Sequence, residues 1–479
     1  MTVKKALLGK ANFAVDLGDG SERAFYVDQD YILNKLGRPH RGINLMFCYY
    51  PFDEAWPQRV QDAYKDADIN FAWDYPYDNY FPYTGGLEGD TTGEPFISMK
   101  DVRRHGQDVI LTITADPAIR DEQISAIAKD LSTYGRIMVR LNHEATGSWF
   151  SFNKRASYQE VADFFVRFTN IIHKEAPNVQ MILCIDGCPN LEQDEIDKEK
   201  EFAEAVRVAD IWSTDKYIAL NYGWPYEVAE KDNDRHKLDD YKYVYELVKK
   251  TFKRYTYING GVTKPMIISE FNADGDVTGP YRQCELVKAF CDLIEKDEEQ
   301  GWFSGFTFYQ FRDDGRLGLE WTDSNNSANG IELPLLAAYR DIINKDYYKP
   351  SITCDKDVSL PVKLRWGGAE DSEGISIPLT FEKDPVFAEA NFPDSLKDAN
   401  LMMEIAGRWF YKAPGVTFVD FMPAFFGKKI NAGEVINLNI FAPPASGEND
   451  PSQGDDWQTN YYFEMKELPD IRLRFEPVM

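Results

Sequence analysis

IMVRLNHEA, residues 137–145, opens as an apolar, partly β-branched run and closes on Asn142, His143 and Glu144. The apolar part is what a strand buried on both faces requires, and the polar finish marks where it leaves the core. Upstream, the same form recurs as GINLMFCYY (42–50), INFAWDYPY (69–77) and DVILTITAD (108–116). Downstream it recurs as VQMILCIDG (179–187), IWSTDKYIA (211–219), KPMIISEFN (264–272) and GFTFYQFRD (305–313). Between these runs lie helix-length segments such as SYQEVADFFVRFTNIIHKEA (157–176), whose apolar residues recur at three- and four-residue spacing. Alternation of this kind predicts parallel strands joined by crossover helices. Eight strands predict an α/β fold of the (β/α)8 TIM barrel type, spanning residues 42–350. An open doubly wound sheet would carry a Gly-rich phosphate loop after its first strand, and CYYPFDEAW (48–56) is nothing of the kind.

After LPLLAAYRDIINK (333–345) the texture changes. Val358, Leu360, Val362, Leu364 and Trp366 alternate with other residues, as do Ile471, Leu473 and Phe475. Period-two patterning predicts half-buried antiparallel strands, so residues 351–479 are expected as a C-terminal β-sandwich. PPASGENDPSQGDD (443–456) is expected as a long loop, and residues 1–41 as an N-terminal extension packed on the barrel.

The 79 acidic residues against 53 basic ones give a net charge of −26. That balance opposes nucleic acid and anionic membrane surfaces as partners. No run approaches the ~20 apolar residues of a membrane span, so no insertion is expected, and the chain is expected as a monomer. Six cysteines over 479 residues do not make a disulfide scaffold, and Cys184 and Cys188 read as small buried hydrophobes. The five histidines include no pair at metal-ligand spacing, so neither metal nor cofactor is expected. MTVKKALLGKANFAVD (1–16) has no apolar core of a signal peptide. Its absence fits a secreted or periplasmic protein written from its mature start ahead of a cytoplasmic one.

Several predicted strands end in polar and aromatic residues: Asp74 and Tyr75, Asp116, His143 and Glu144, Asp186, Asp215 and Tyr217, Glu270, Arg312 and Asp313. Barrel enzymes build their sites from those ends. Glu144 and Glu270 close the fourth and seventh runs, so a ring of eight can bring them face to face across its mouth. Two carboxyl groups about 5–5.5 Å apart suit retaining hydrolysis of a glycosidic bond, one donating a proton and the other attacking the anomeric carbon. Loop aromatics extend the pattern: Tyr75, Tyr77, Tyr80, Phe81 and Tyr83 after the second run, Tyr222, Trp224 and Tyr226 after the sixth, and Trp321 after the eighth. Sugar rings stack their C–H faces on such side chains. Asp116, Asp186 and Asp276 are spare acids for sugar hydroxyls, helix caps or an adventitious cation.

His143-Glu144-Ala145-Thr146-Gly147-Ser148-Trp149, preceded by Arg140, resembles the acid/base motif of glycoside hydrolase family 26. KPMIISEF (264–271) resembles the nucleophile strand of its clan, and Ala209–Tyr217 the strand whose tyrosine meets the nucleophile. The resemblance covers residues 42–346 and leaves the C-terminal region aside. It implies a retaining hydrolase of the β-mannanase type, with Glu144 as acid/base, Glu270 as nucleophile and Tyr217 as its hydrogen-bond partner. It also implies that His143 and Trp149 contact sugar. Arg140, Asn142, Trp224 and Tyr75 complete the expected substrate-binding set. Thr146 stands where the family usually carries Asn, and Phe152 in a stretch where members often carry a further Trp. The partner is thus expected to be a β-linked glycan, mannan first, with β-glucan, xylan and agarose as related substrates. A non-catalytic glycan-binding barrel is the alternative from another class. A zinc protease is excluded, because Gly147 occupies the second histidine position of HExxH.

Overall fold

The computed structural model describes residues 3–20, 26–52, 81–146, 156–185, 200–219, 240–299, 301–313, 317–323, 328–449 and 460–477. Its first strands are β1 (Val3–Leu8), β2 (Ala14–Gly18), β3 (Gly42–Tyr49), the short β4 (Phe81–Pro82), β5 (Asp108–Ala115) and β6 (Ile137–Leu141). Then follow β7 (Val179–Cys184), β8 (Ile211–Asp215), β9 (Met266–Phe271) and β10 (Gly305–Phe308). Eight of these pair in parallel in the order β2-β3-β5-β6-β7-β8-β9-β10, and β10 returns to β2. The ring is therefore closed. β3 and β5 are buried at every residue, which explains their continuous apolar sequence. The helix Tyr158–Glu175 opens on a capping box between Ser157 and Glu160 and turns Val161, Phe164, Phe165, Phe168 and Ile172 onto the barrel.

One ring strand differs from expectation. AVDLG, residues 14–18, lies in the region expected as an extension, yet β2 completes the ring between β3 and β10. Its five residues are too few for a clear pattern, and Asp16 interrupts them; that carboxylate is fully buried and accepts from Arg41 Nε at 2.9 Å. The segment 69–77, expected as a strand, lies outside the described residues. The ring closes without it, because β3 pairs directly with β5 over eight residues. Glu144 still follows the fourth ring strand and Glu270 still lies near the end of the seventh, since β2 precedes the run at 42.

The C-terminal part contains β14 (Ile352–Val358), β15 (Val362–Trp366), β16 (Ser372–Phe381), β17 (Phe387–Asn391), β18 (Leu401–Ile405) and β19 (Arg408–Lys412), then β20 (Phe418–Asp420), β21 (Glu434–Phe441), β22 (Tyr461–Met465) and β23 (Asp470–Arg474). An eight-stranded sheet holds β14-β1-β16-β21-β18-β19 with β15 and β22, and a three-stranded sheet holds β20-β17-β23. The run 358–366 forms two strands rather than one, split at Leu360-Pro361. In β18, Leu401, Met403 and Ile405 join the core shared with the small sheet. Met402 between them packs with Trp366, Trp409 and Leu33 on the barrel side. The N-terminal segment thus spans both parts, β1 in the sandwich and β2 in the barrel. Among the described residues no helix is long and apolar enough to cross a membrane.

Candidate active site

Inside the ring, side chains of alternate residues stack in layers. Ile110, Met138, Ile182, Ile211 and Ile267 form an apolar plug. Two residues further along the same strands come Thr112, Arg140, Cys184, Ser213 and Ser269, all buried. Cys48, Tyr50, Tyr217, Tyr309 and Leu317 cluster above them at the mouth together with Met46, which is level with Thr112. The plug gives the site a floor from which water is excluded.

Strict alternation along β9 would send Ile267 and Ser269 inward and Glu270 outward. The register breaks that rule. Ile268 pairs with Thr214 but Glu270 with Asp215, and on the other side Ile268 pairs with Phe306 but Phe271 with Phe308. One extra residue is accommodated, a bulge that turns Glu270 into the ring directly after Ser269. Its Oε1 accepts from Arg140 Nη2 at 2.7 Å and its Oε2 from the Tyr217 hydroxyl at 2.6 Å. Arg140 is completely buried and also donates to Asp215 Oδ1 at 3.1 Å and to Thr112 Oγ1 at 3.0 Å. Thr112 in turn donates to Asn44 at 2.8 Å. Burial opposes the charge on Arg140, but Asp215 and then Glu270 outweigh it and hold the guanidinium protonated above its ordinary range.

Beyond β6 the backbone enters the left-handed region at Asn142 and Glu144, with φ of 49° and 50°. Asn142 tolerates this well, and its Oδ1 accepts from Ala115 N at 2.7 Å. Ala145 N donates to Cys184 O at 3.2 Å, which ties the turn to the next strand. His143 is buried, with Nδ1 3.3 Å from Thr114 Oγ1. Burial and then the nearby Arg140 push its pKa well below the ordinary imidazole value, so it is neutral. Glu144 alone of this group is half-exposed.

One carboxylate oxygen from each of Glu144, Asp215 and Glu270 lies within 4.8 Å of the other two. Three carboxylates so close would invite a cation, but Arg140 already supplies positive charge to two of them. The arrangement separates one half-exposed acid from a carboxylate fixed by two donors. Such a pair can pass a proton from one and present the other as a nucleophile.

Glu144, Glu270, His143, Tyr217, Asn142 and Arg140 therefore gather at one end of the ring. Arg140, expected to touch substrate, instead lies beneath Glu270 with its donors committed to Thr112, Asp215 and Glu270. Trp149, Trp224, Tyr75, Tyr77, Tyr80, Tyr222, Tyr226, Phe152, Asp186 and Cys188 lie outside the described residues. Tyr83 is buried and donates to Asp130 at 3.0 Å, a packing role. Asp116 accepts from Ala118 N at 2.9 Å and shapes a turn. Asp215 is the residue whose importance the chain understated. Its place at a polar strand end was the only signal.

No protein-family model and no curated protein sequence match the chain. Among solved structures it is similar to a family 51 arabinofuranosidase from Xanthomonas axonopodis pv. citri, at 13% identity and a TM-score of 0.44, covering 93% of this chain and 98% of that one. It is similar to an α-L-arabinofuranosidase from Thermotoga maritima at 10% identity and 0.46, covering 92% and 99%. A family 26 β-mannanase from Bacteroides ovatus shows 10% identity and 0.40, covering 70% and 89%.

Proposed function

We propose that this chain is a retaining, endo-acting glycoside hydrolase of β-linked glycan, with β-1,4-mannan the first substrate to test. One observation carries the proposal: the Glu144 and Glu270 carboxylates approach within 4.8 Å at the mouth of a closed barrel. An inverting enzyme needs carboxyl groups about 6.5–9.5 Å apart to admit a water between sugar and base, whereas a retaining one brings them to about 5–5.5 Å.

The chemistry follows from the donors. Arg140 and Tyr217 each donate to one oxygen of Glu270 and aim it. Glu144, with that like charge beside it, is disfavoured as a second anion and holds a proton. Glu144 gives the proton to the leaving glycosidic oxygen while Glu270 attacks the anomeric carbon from the opposite face. The resulting glycosyl ester is opened by water, from which Glu144 takes a proton. Neither a metal nor an organic cofactor is required for either step.

The test is azide rescue of Glu270→Ala and Glu144→Ala on an aryl β-glycoside. Turnover falls by several orders of magnitude in both. In Glu270→Ala azide attacks from the vacated face and yields the α-glycosyl azide; in Glu144→Ala it intercepts the ester and yields the β-anomer. Full activity in Glu270→Ala overturns the assignment. A wild-type protein that binds β-glycans without releasing reducing ends would instead be the non-catalytic barrel.

A further inference from the structure

After β10 the chain builds a small sheet of β11 (Arg312–Asp313), β12 (Glu320–Thr322) and β13 (Gly330–Glu332). One face of it is fastened to the helix Gln29–Leu36. Glu320, fully buried, accepts from Arg312 Nη2 at 3.0 Å and from the Tyr31 hydroxyl at 2.9 Å, and the Arg312 guanidinium lies over the Tyr31 ring. A Cβ on Gly330 would strike that carboxylate, so the neighbouring strand sits tightly against it.

Residues alternate between faces, so the partners of Arg312 and Glu320 along their strands point the other way. Asp313 pairs with Trp321, and Trp321 with Ile331, which places the three in one row across the sheet. The inner end of the row belongs to the candidate site. Asp313 is buried and accepts from Gln310 Nε2 at 3.3 Å and from Leu317 N at 3.1 Å. Leu317 packs in the mouth cluster with Tyr309 and Tyr217. The outer end is bare: Trp321 is 51% and Ile331 53% exposed. At about 4.8 Å per strand, the row leads outward from the mouth by roughly the width of two sugar rings.

We infer that Trp321, backed by Ile331, is an outlying sugar-binding subsite of the cleft, taking the apolar C–H face of a glycan residue beyond those at the scissile bond. The inference rests on the glycosidase assignment. A neutral glycan suits the surface: an indole gains by stacking on a sugar ring, and the −26 net charge repels acidic chains. The indole stands half in water, yet a buried ion pair and a tyrosine hold its strand in place.

The experiment compares Trp321→Ala and Trp321→Phe with wild type on β-1,4-mannohexaose and on an aryl β-mannoside, with xylohexaose and cellohexaose run alongside. The expected result is that Trp321→Ala lowers kcat/KM for the hexasaccharide about tenfold more than for the aryl glycoside, through KM, and that Phe restores part of it. Equal effects on both substrates overturn the inference and leave the catalytic assignment standing. If wild type cleaves none of these, mannan, xylan and β-glucan fall as substrates. Electrophoresis through gels containing mannan, xylan or β-glucan then decides the subsite alone: retardation lost in Trp321→Ala supports it, and equal migration overturns it.

Discussion

Asp215 and Glu270 face one another across adjacent strands and share a single guanidinium, Arg140, at 3.1 and 2.7 Å. The positive charge is divided between two anions, of which only one is proposed to react. Asp215 is therefore a positioning residue that tempers the grip of Arg140 on Glu270.

Replacing Asp215 by Asn removes an anion beside Glu270 and leaves the whole guanidinium to it. Glu270 is then held more tightly and is a weaker nucleophile. The expected outcome is a kcat reduced by about 10- to 100-fold, equivalent to ~1.4–2.7 kcal/mol, with KM and the melting temperature nearly unchanged. A purely structural role would lower the melting temperature along with the rate.

Tyr217→Phe deletes the donor to Glu270 Oε2 and keeps the ring that packs against Tyr309. A hydrogen bond to a charged group contributes about 1.5–3 kcal/mol. Turnover is expected to fall roughly 10- to 100-fold with the melting temperature nearly unchanged. An unaltered kcat would show that Arg140 alone orients the nucleophile.

Glu144 is held at a left-handed φ of 50°, which a residue with a Cβ adopts at a cost of about 1–2 kcal/mol. Glycine escapes it. Of two variants that both lack the carboxylate, Glu144→Gly is expected to be the more stable to urea, by roughly 1 kcal/mol over Glu144→Ala. A midpoint for the alanine variant at or above that of the glycine variant would deny the strain.

Two histidines are neutral in the folded state: His40, by burial and then Arg38, and His143, by burial and then Arg140. Unfolded, each titrates near about 6.5. Below that pH the unfolded chain binds protons that the folded one refuses, so stability drops as pH falls, by about 1.4 kcal/mol per unit per group. Asp108 works oppositely. Burial, against the pull of Arg136, Arg103 and Arg41, pushes its pKa up to about 6, so the fold gains from its protonation as pH descends from there towards about 4. Below pH ~6 the two histidines together outweigh Asp108 by about one proton, a net loss of ~1.4 kcal/mol per pH unit. Thermal melts of His40→Gln from pH 6 to 5 should lose most of the wild-type slope; an unchanged slope would exclude His40 as a source.

Much of this molecule was legible locally. Continuous apolar runs marked the buried strands 42–49, 108–115 and 137–141, because a strand covered on both faces has no polar side. His143, Glu144, Tyr217 and Glu270 were recognisable as polar residues placed where such strands end. Strand 14–18 was not, since its Asp16 is compatible with the interior only through Arg41, 25 residues away. Nor does alternation along 264–272 reveal which way Glu270 points. That depends on a bulge defined against both neighbouring strands. Periodicity is a property of one segment, read from its own side chains. The meeting of Glu144, Asp215 and Glu270, the sharing of Arg140, and the row from Asp313 to Trp321 exist only once the ring has closed, because each needs partners that the chain supplies from far away.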